Sequence, residues 1–272
     1  LEDLEARDVP AAVGAPDPSF GTAGVVRTTF NGVDAAAAVA VQADGKVVVV
    51  GSTSTGTNIA VARYNPDGTP DPTFAGDGTQ LVNVGTNETA GGVAVQDDGK
   101  IVIVGTAAGA AGLDFVVVRL NPDGLRTFGF DDGATDDDRA FGVAVQGTGP
   151  GRRIVVVGTT DQSDDGDLTN LGVVRLSDTG ALVSAADFTL GGNDEARGVA
   201  IDADGRIVVV GHTDAGGGAI PGNLGVIRLL PDGTTLDVGF AGDGDLVVDI
   251  GGGNDEAAGV AIDPDGRIVL AG

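Results

Sequence analysis

The chain has 272 residues, with 40 acidic against 15 basic side chains and a net charge of −25; it contains no cysteine. That balance excludes a nucleic-acid or anionic-membrane partner, and the missing cysteine excludes disulfide scaffolds, thiolate metal centres and a cysteine nucleophile. No apolar run is long enough to span a bilayer, and Val, Ile, Leu and Ala beside 48 glycines point to strands and turns.

In chain order, residues 1–15 read as an N-terminal extension or a degenerate strand, Leu1 to Arg7 being rich in Glu, Asp, Leu and Ala. A start at Leu1 instead of Met is read as a processed form or a fragment. Ala15 to Gly21 matches Thr69 to Gly76, and Val25 to Phe30 is expected as a strand. From residue 16 to 272 the chain reads as one domain of repeats of roughly 55 residues. The stretches Val39–Gly51, Val93–Gly105, Val143–Gly158, Val199–Gly211 and Val260–Gly272 align, with closing glycines 53 to 61 residues apart.

Each copy predicts four short strands. Strand a (Val93 to Gln96, for example) meets strand b through an Asp-Gly turn at Asp44-Gly45, Asp98-Gly99, Asp204-Gly205 and Asp265-Gly266. Strand b is a continuous apolar run such as Val47 to Val50 or Ile207 to Val210, the pattern of a strand buried on both faces. Strand c ends on a recurring arginine (Arg63, Arg119, Arg175, Arg228) and stops at Asn-Pro-Asp-Gly or Pro-Asp-Gly. A recurring phenylalanine (Phe74, Phe128, Phe188, Phe240) is expected before strand d, clearest at Gln80 to Val84 and Leu246 to Ile250. The third copy departs, with Gly147 to Arg152 replacing the tight turn. The expectation is an all-β fold, a β-propeller of four-stranded antiparallel blades, about five in number. Five blades would close by pairing the termini, with Arg7 ending a degenerate strand c; a piece of a larger propeller is the alternative.

The phrases Gly92-Val-Ala-Val-Gln-Asp-Asp-Gly-Lys-Ile-Val-Ile-Val-Gly105, then Val117-Val-Arg-Leu-Asn-Pro-Asp-Gly124 and Phe74-Ala-Gly-Asp-Gly78, resemble the delta-60 repeat of bacterial β-propeller-like proteins. The resemblance covers about residues 16 to 272 and implies the fold, but no agreed activity and no catalytic residues.

Propeller topology puts the d-to-a and b-to-c loops on one face and the regular turns on the other, so a site is expected on the loop face. An acid recurs five residues before each strand-a valine: Asp34, Glu88, Asp138, Asp194 and Asp255. Two readings stand, a cation-collecting ring at the channel mouth or carboxylates that accept backbone N–H groups of the loops, and recurrence in every blade favours the second. The strand-c arginines are read as blade-internal ion pairs near the turn aspartates and Asp71 or Asp237. One loop is not repeated: Asp161, Ser163, Asp165, Asp167 and Thr169 place oxygen side chains at alternating positions around Gly166. That resembles a calcium loop, although glycine stands at the twelfth position in place of glutamate; a solvated acidic loop is the other reading. His212, the only histidine, begins the fourth b-to-c loop, and no catalytic or organic-cofactor residue is assigned.

The function expected is a non-enzymatic extracellular or cell-surface module for binding or scaffolding, with a protein or glycan as partner. The alternative is a metal-assisted hydrolase or lyase with an acidic site at the channel mouth, an expectation by fold analogy. A segment of a large repeat protein with its function elsewhere is the third reading.

Overall fold

The computed structural model describes residues 15–30, 32–54, 58–108, 112–131, 137–161, 169–214 and 222–272. Blade 1 consists of β1 (Asp34–Val41), β2 (Val47–Thr53), β3 (Asn58–Tyr64) and β4 (Thr79–Val82), and blade 2 of β5 (Thr86–Val95), β6 (Ile101–Ala108), β7 (Leu113–Leu120) and β8 (Arg126–Asp131). Blade 3 contains β9 (Arg139–Gln146), β10 (Arg153–Asp161), β11 (Thr169–Ser177) and β12 (Leu182–Phe188). Blade 4 contains β13 (Asp194–Ile201), β14 (Ile207–Thr213), β15 (Asn223–Leu229) and β16 (Asp245–Val248), and β17 (Gly259–Ile262) with β18 (Ile268–Ala271) forms half of a fifth. Each strand pairs antiparallel with the next within its blade, as the repeat predicts.

The a-to-b turns show why Asp-Gly recurs. Only the glycine takes positive φ (Gly45 +81°, Gly99 +77°, Gly205 +80°), while Asp44 accepts the Lys46 N–H at 3.2 Å. The glycine that closes the apolar run has a different cause. Strand a carries a bulge opposite it in each complete blade. A Cβ on Gly51 would lie 2.1 Å from the Ala35 carbonyl oxygen, and one on Gly158 would lie 1.8 Å from that of Arg139. The bulge therefore forbids any side chain there, and strand b continues two or three residues beyond the glycine.

Alternation along strand b builds the core. Val48 and Val50 join Ile101 and Ile103 between blades 1 and 2, whereas Val102 and Val104 join Ile154 and Val156 between blades 2 and 3. Val155 and Val157 meet Ile207 and Val209, and Val208 and Val210 meet Ala257 of the half blade. Each of these side chains contributes roughly 1.5–3 kcal/mol when fully buried, so the inter-blade layers hold the fold.

Some expectations are corrected. Phe74 and Phe240 precede strand d, but Phe128 and Phe188 lie inside β8 and β12. Blades 2 and 3 pass from c to d through short turns (Asn121 N to Leu125 O, Ser177 N to Ala181 O), which leave no room for a Phe-bearing loop. Val25 to Phe30 forms no strand among the described residues; only a Thr22–Val25 bridge is present. The match of residues 15–21 to the c-to-d loop does appear in the bonding: Asp17 accepts the Ser19 N–H and hydroxyl as Asp71 accepts those of Thr73. Arg7 lies outside the described residues. The outward face of blade 1 leaves Val39 and Val41 exposed beside a hollow of about 710 Å³, and no core cluster joins it to β17 or β18 among the described residues.

Candidate ligand-binding site

The recurring acids cap the loops that lead into strand a. Glu88 Oε1 accepts N–H groups of Val84 (2.8 Å) and Gly85 (2.6 Å), and Asp194 Oδ2 accepts those of Leu190 (2.7 Å) and the Thr189 hydroxyl (3.0 Å). Asp34 accepts from Phe30 and Asp255 from Ile250, whereas Asp138 accepts from Asp161 N at the end of β10. The Phe30 N–H holds the Asp34 carboxyl below its ordinary pKa. These contacts engage an oxygen of each carboxylate, as the second reading expects, while Asp34 Oδ1, Glu88 Oε2 and Asp194 Oδ1 are buried without a hydrogen-bond partner among the described residues.

The arginines occupy the turn face. Arg63 pairs with Asp71 (Nε to Oδ2, 2.7 Å) and Arg228 with Asp237 (2.8 Å), each stacked over the phenylalanine of its own blade. Burial opposes ionisation of Asp71, but two bonds from Thr73, with Lys46 and Arg63 alongside, hold its pKa well below the carboxylate range. The blade-internal expectation fails for the other two. Arg119 bonds Asp178 of blade 3, and Arg175 forms no ion pair among the described residues: it bonds Gln146 and Ser184 of its own blade and the Asp232 carbonyl of blade 4. Their short c-to-d turns carry no counterpart of Asp71, so the guanidinium turns to the next blade.

The loop face contains a cleft of about 330 Å³ between blades 3 and 4, lined by Asp137, Arg139, Thr159, Asp161, Thr169, Asn193, Asp194, Glu195 and His212. Strand parity assembles it. Arg139 lies directly opposite Thr159 across β9 and β10, and Asp161 lies two residues beyond Thr159, opposite Thr169 of β11. These side chains share the blade 3 face that packs its Val155 and Val157 against blade 4. Asp194 of blade 4 forms the far wall and is fully buried. Thr159 is also buried, and its hydroxyl and Asp194 Oδ1 have no hydrogen-bond partner among the described residues. Glu195 pairs with Arg197 at 3.0 Å, and Arg197 in turn reaches Glu256 at 2.9 Å and stacks over Phe141.

A family model described as "Domain of unknown function (DUF5122) beta-propeller" matches residues 42–74, 96–125 and 203–240. Each match runs from an a-to-b turn into the c-to-d connection, in blades 1, 2 and 4. The repeats are β-propeller blades. The matches support a β-propeller repeat family. Among solved structures, the propeller resembles the α-L-arabinanase of Penicillium chrysogenum at TM-score 0.56 and 9% identity, covering 86% of this chain and 73% of that one. It also resembles Kuenenia stuttgartiensis hydrazine synthase (TM-score 0.54, 16% identity, 86% and 61% covered). The α-L-arabinofuranosidase of Lactobacillus brevis gives TM-score 0.51 at 13% identity, with 88% and 83% covered. Likeness at these identities concerns the fold. No protein with a curated description matches the sequence.

In propeller terms the cleft lies between two blades on the face of the variable loops. Of the expected calcium-loop residues, Asp161 and Thr169 stand on its wall in register, while Ser163, Asp165 and Asp167 lie outside the described residues. Among the described residues, no group of three or more His, Asp or Glu is arranged to hold a metal ion. His212 also lines the cleft, with Nδ1 3.3 Å from the Asp255 carbonyl oxygen. Sequence reasoning passed over Arg139 and Thr159. The signal was there: the positions equivalent to Arg139 hold Ala35, Thr89, Glu195 and Glu256, so the repeat does not dictate an arginine.

Proposed function

We propose that this chain is a non-enzymatic propeller module, extracellular or at a cell surface, that binds a polar group of its partner in the cleft between blades 3 and 4. The observation that supports this reading is the grouping of Arg139, which the equivalent positions of the other blades do not repeat, with two polar side chains. Arg139, Thr159 and Asp161 occupy one face of blade 3, and the buried Thr159 hydroxyl has no partner among the described residues. Structural roles in this fold recur from blade to blade, so an arginine that breaks the repeat at one cleft is a candidate for a role outside folding. The test is a thermal-shift and calorimetric screen of free amino acids and neutral and acidic oligosaccharides against the wild type and Thr159→Val. A ligand that binds the wild type and is weakened by Thr159→Val supports the reading; no binding from any class overturns it.

A metal-assisted hydrolase or lyase is the second reading. It is favoured by the meeting of Asp161, Asp194, Glu195 and His212 at the same cleft, which gives non-equivalent acids in two blades. Incubation with chromogenic arabinofuranosides and other aryl glycosides, with and without divalent cations, separates the two. Turnover that Asp161→Asn abolishes would establish the enzyme and displace the binding module.

A further inference from the structure

Resting on that site reading, we propose that the cleft takes a small zwitterion, an α-amino acid, with its carboxylate on Arg139 and its ammonium on Asp161. The three residues that frame it occur together in one blade alone. Thr159 is matched by Ser52, Thr106 and His212, and Asp161 by Ser54, Ala108 and Asp214. Blade 4 thus offers two acids, Glu195 and Asp214, where blade 3 offers Arg139 and Asp161. Neither Arg139 nor Asp161 makes an ion pair among the described residues, with each other or with a third group, although both stand on the cleft wall. In a chain of net charge −25 an arginine is readily neutralised, and Arg63, Arg152, Arg206 and Arg267 are each ion-paired.

The spacing fits the ligand. Arg139 is level with Thr159, and Asp161 lies two residues along the same strand, roughly 7 Å away at the usual rise. The ammonium nitrogen and a carboxylate oxygen of an α-amino acid are roughly 3 Å apart, as bond lengths dictate. Each then reaches its partner over a charge-assisted hydrogen bond of about 2.8 Å. Thr159 lies between the two charges, and its history in the repeat explains its availability. In blade 1 the equivalent Ser52 hydroxyl accepts the Ala90 N–H of the next blade at 3.0 Å, and in blade 4 His212 meets the Asp255 carbonyl. The Thr159 hydroxyl has no such engagement and is buried, a loss that a ligand carboxylate or ammonium would recover. A neutral saccharide would leave both charges unmatched, and a bare metal ion would be repelled by Arg139.

The experiment titrates each of the twenty free L-amino acids into the protein by calorimetry, then repeats the best ligand as its N-acetyl derivative and as its decarboxylated amine. The expected result is binding of at least one amino acid, with each analogue weakened about tenfold or more, the worth of one charge-assisted contact. Arg139→Gln and Asp161→Asn are expected to weaken it similarly; neither residue belongs to a core cluster, and the analogue series does not depend on the variants folding. Absence of amino-acid binding at about 10 mM, with a neutral oligosaccharide bound instead, overturns the zwitterion and leaves the binding module standing. No binding of either class overturns both. Amino-acid binding that disappears with a calcium chelator also overturns the proposal, because Asp161 then belongs to a metal site.

Discussion

Arg63 donates through Nη1 to the Pro122 carbonyl oxygen at 2.6 Å, joining strand c of one blade to the turn of the next. The same guanidinium closes on Asp71 and Thr73 of its own blade, so one buried side chain secures two layers. Arg63→Ala leaves the Asp71 carboxylate with Lys46 at 3.0 Å, so the loss is expected at or below the low end of the roughly 3–5 kcal/mol that breaking a buried pair costs. Arg228→Ala, whose side chain is 22% exposed and reaches no following turn among the described residues, is expected to cost less. Urea unfolding of the two variants checks this; equal losses would show that the bond to blade 2 contributes nothing.

The loop acids predict a stability effect of their own. Glu88 is 1% exposed and accepts two backbone N–H groups with one oxygen. Glu88→Gln removes the charge from both bonds and is expected to cost about 1–3 kcal/mol, measured by thermal unfolding. A calcium-dependent melting shift lost in this variant would instead favour the cation ring.

The pH dependence follows from Asp71. Its folded pKa lies below the unfolded value, so its contribution is present above the ordinary carboxylate range and is lost as the pH falls through about 4 and lower. The stability gap between wild type and Asp71→Asn is therefore expected at pH 7 and narrows toward pH 2. Urea midpoints at stepped pH measure it; a gap independent of pH would mean that Asp71 acts through packing.

Gly222 has no room for a side chain. A Cβ there would lie 1.7 Å from His212 Cε1 and 2.5 Å from Nε2. Gly222→Ala is expected to displace the imidazole from the Asp255 carbonyl and to lower stability by about 1–3 kcal/mol. Because His212 is the only histidine, its imidazole proton resonances report the displacement without assignment; unchanged resonances would contradict it.

The blade repeat was legible because its cause is local. Asp-Gly turns and apolar runs such as Val47 to Val50 state their conformation within a few residues, and the closing glycines mark a bulge at each copy. The partners of Arg119 and Arg175 were not legible, because Asp178 and Asp232 stand one blade away and no local pattern names them. The site was hidden in the same manner. Arg139 and Asp161 are separated along the chain and are brought to one face by the pairing of β9 with β10, while the motif that drew attention, Asp161 to Thr169, lay within one loop.

The strand-b alternation has a consequence for how the molecule comes apart. Val102 and Ile103 point into different layers, so melting one blade strips cover from both neighbours, and interior blades have no independent opening. Opening of single strands is left to the outer strands, where β12 alternates exposed and half-buried residues. Amide exchange is therefore expected to be slowest in β6 and β10 and faster in β12, and a uniform rate across the strands would contradict it. A chain pulled from its C-terminus would yield in steps of one blade, each rupture preparing the next.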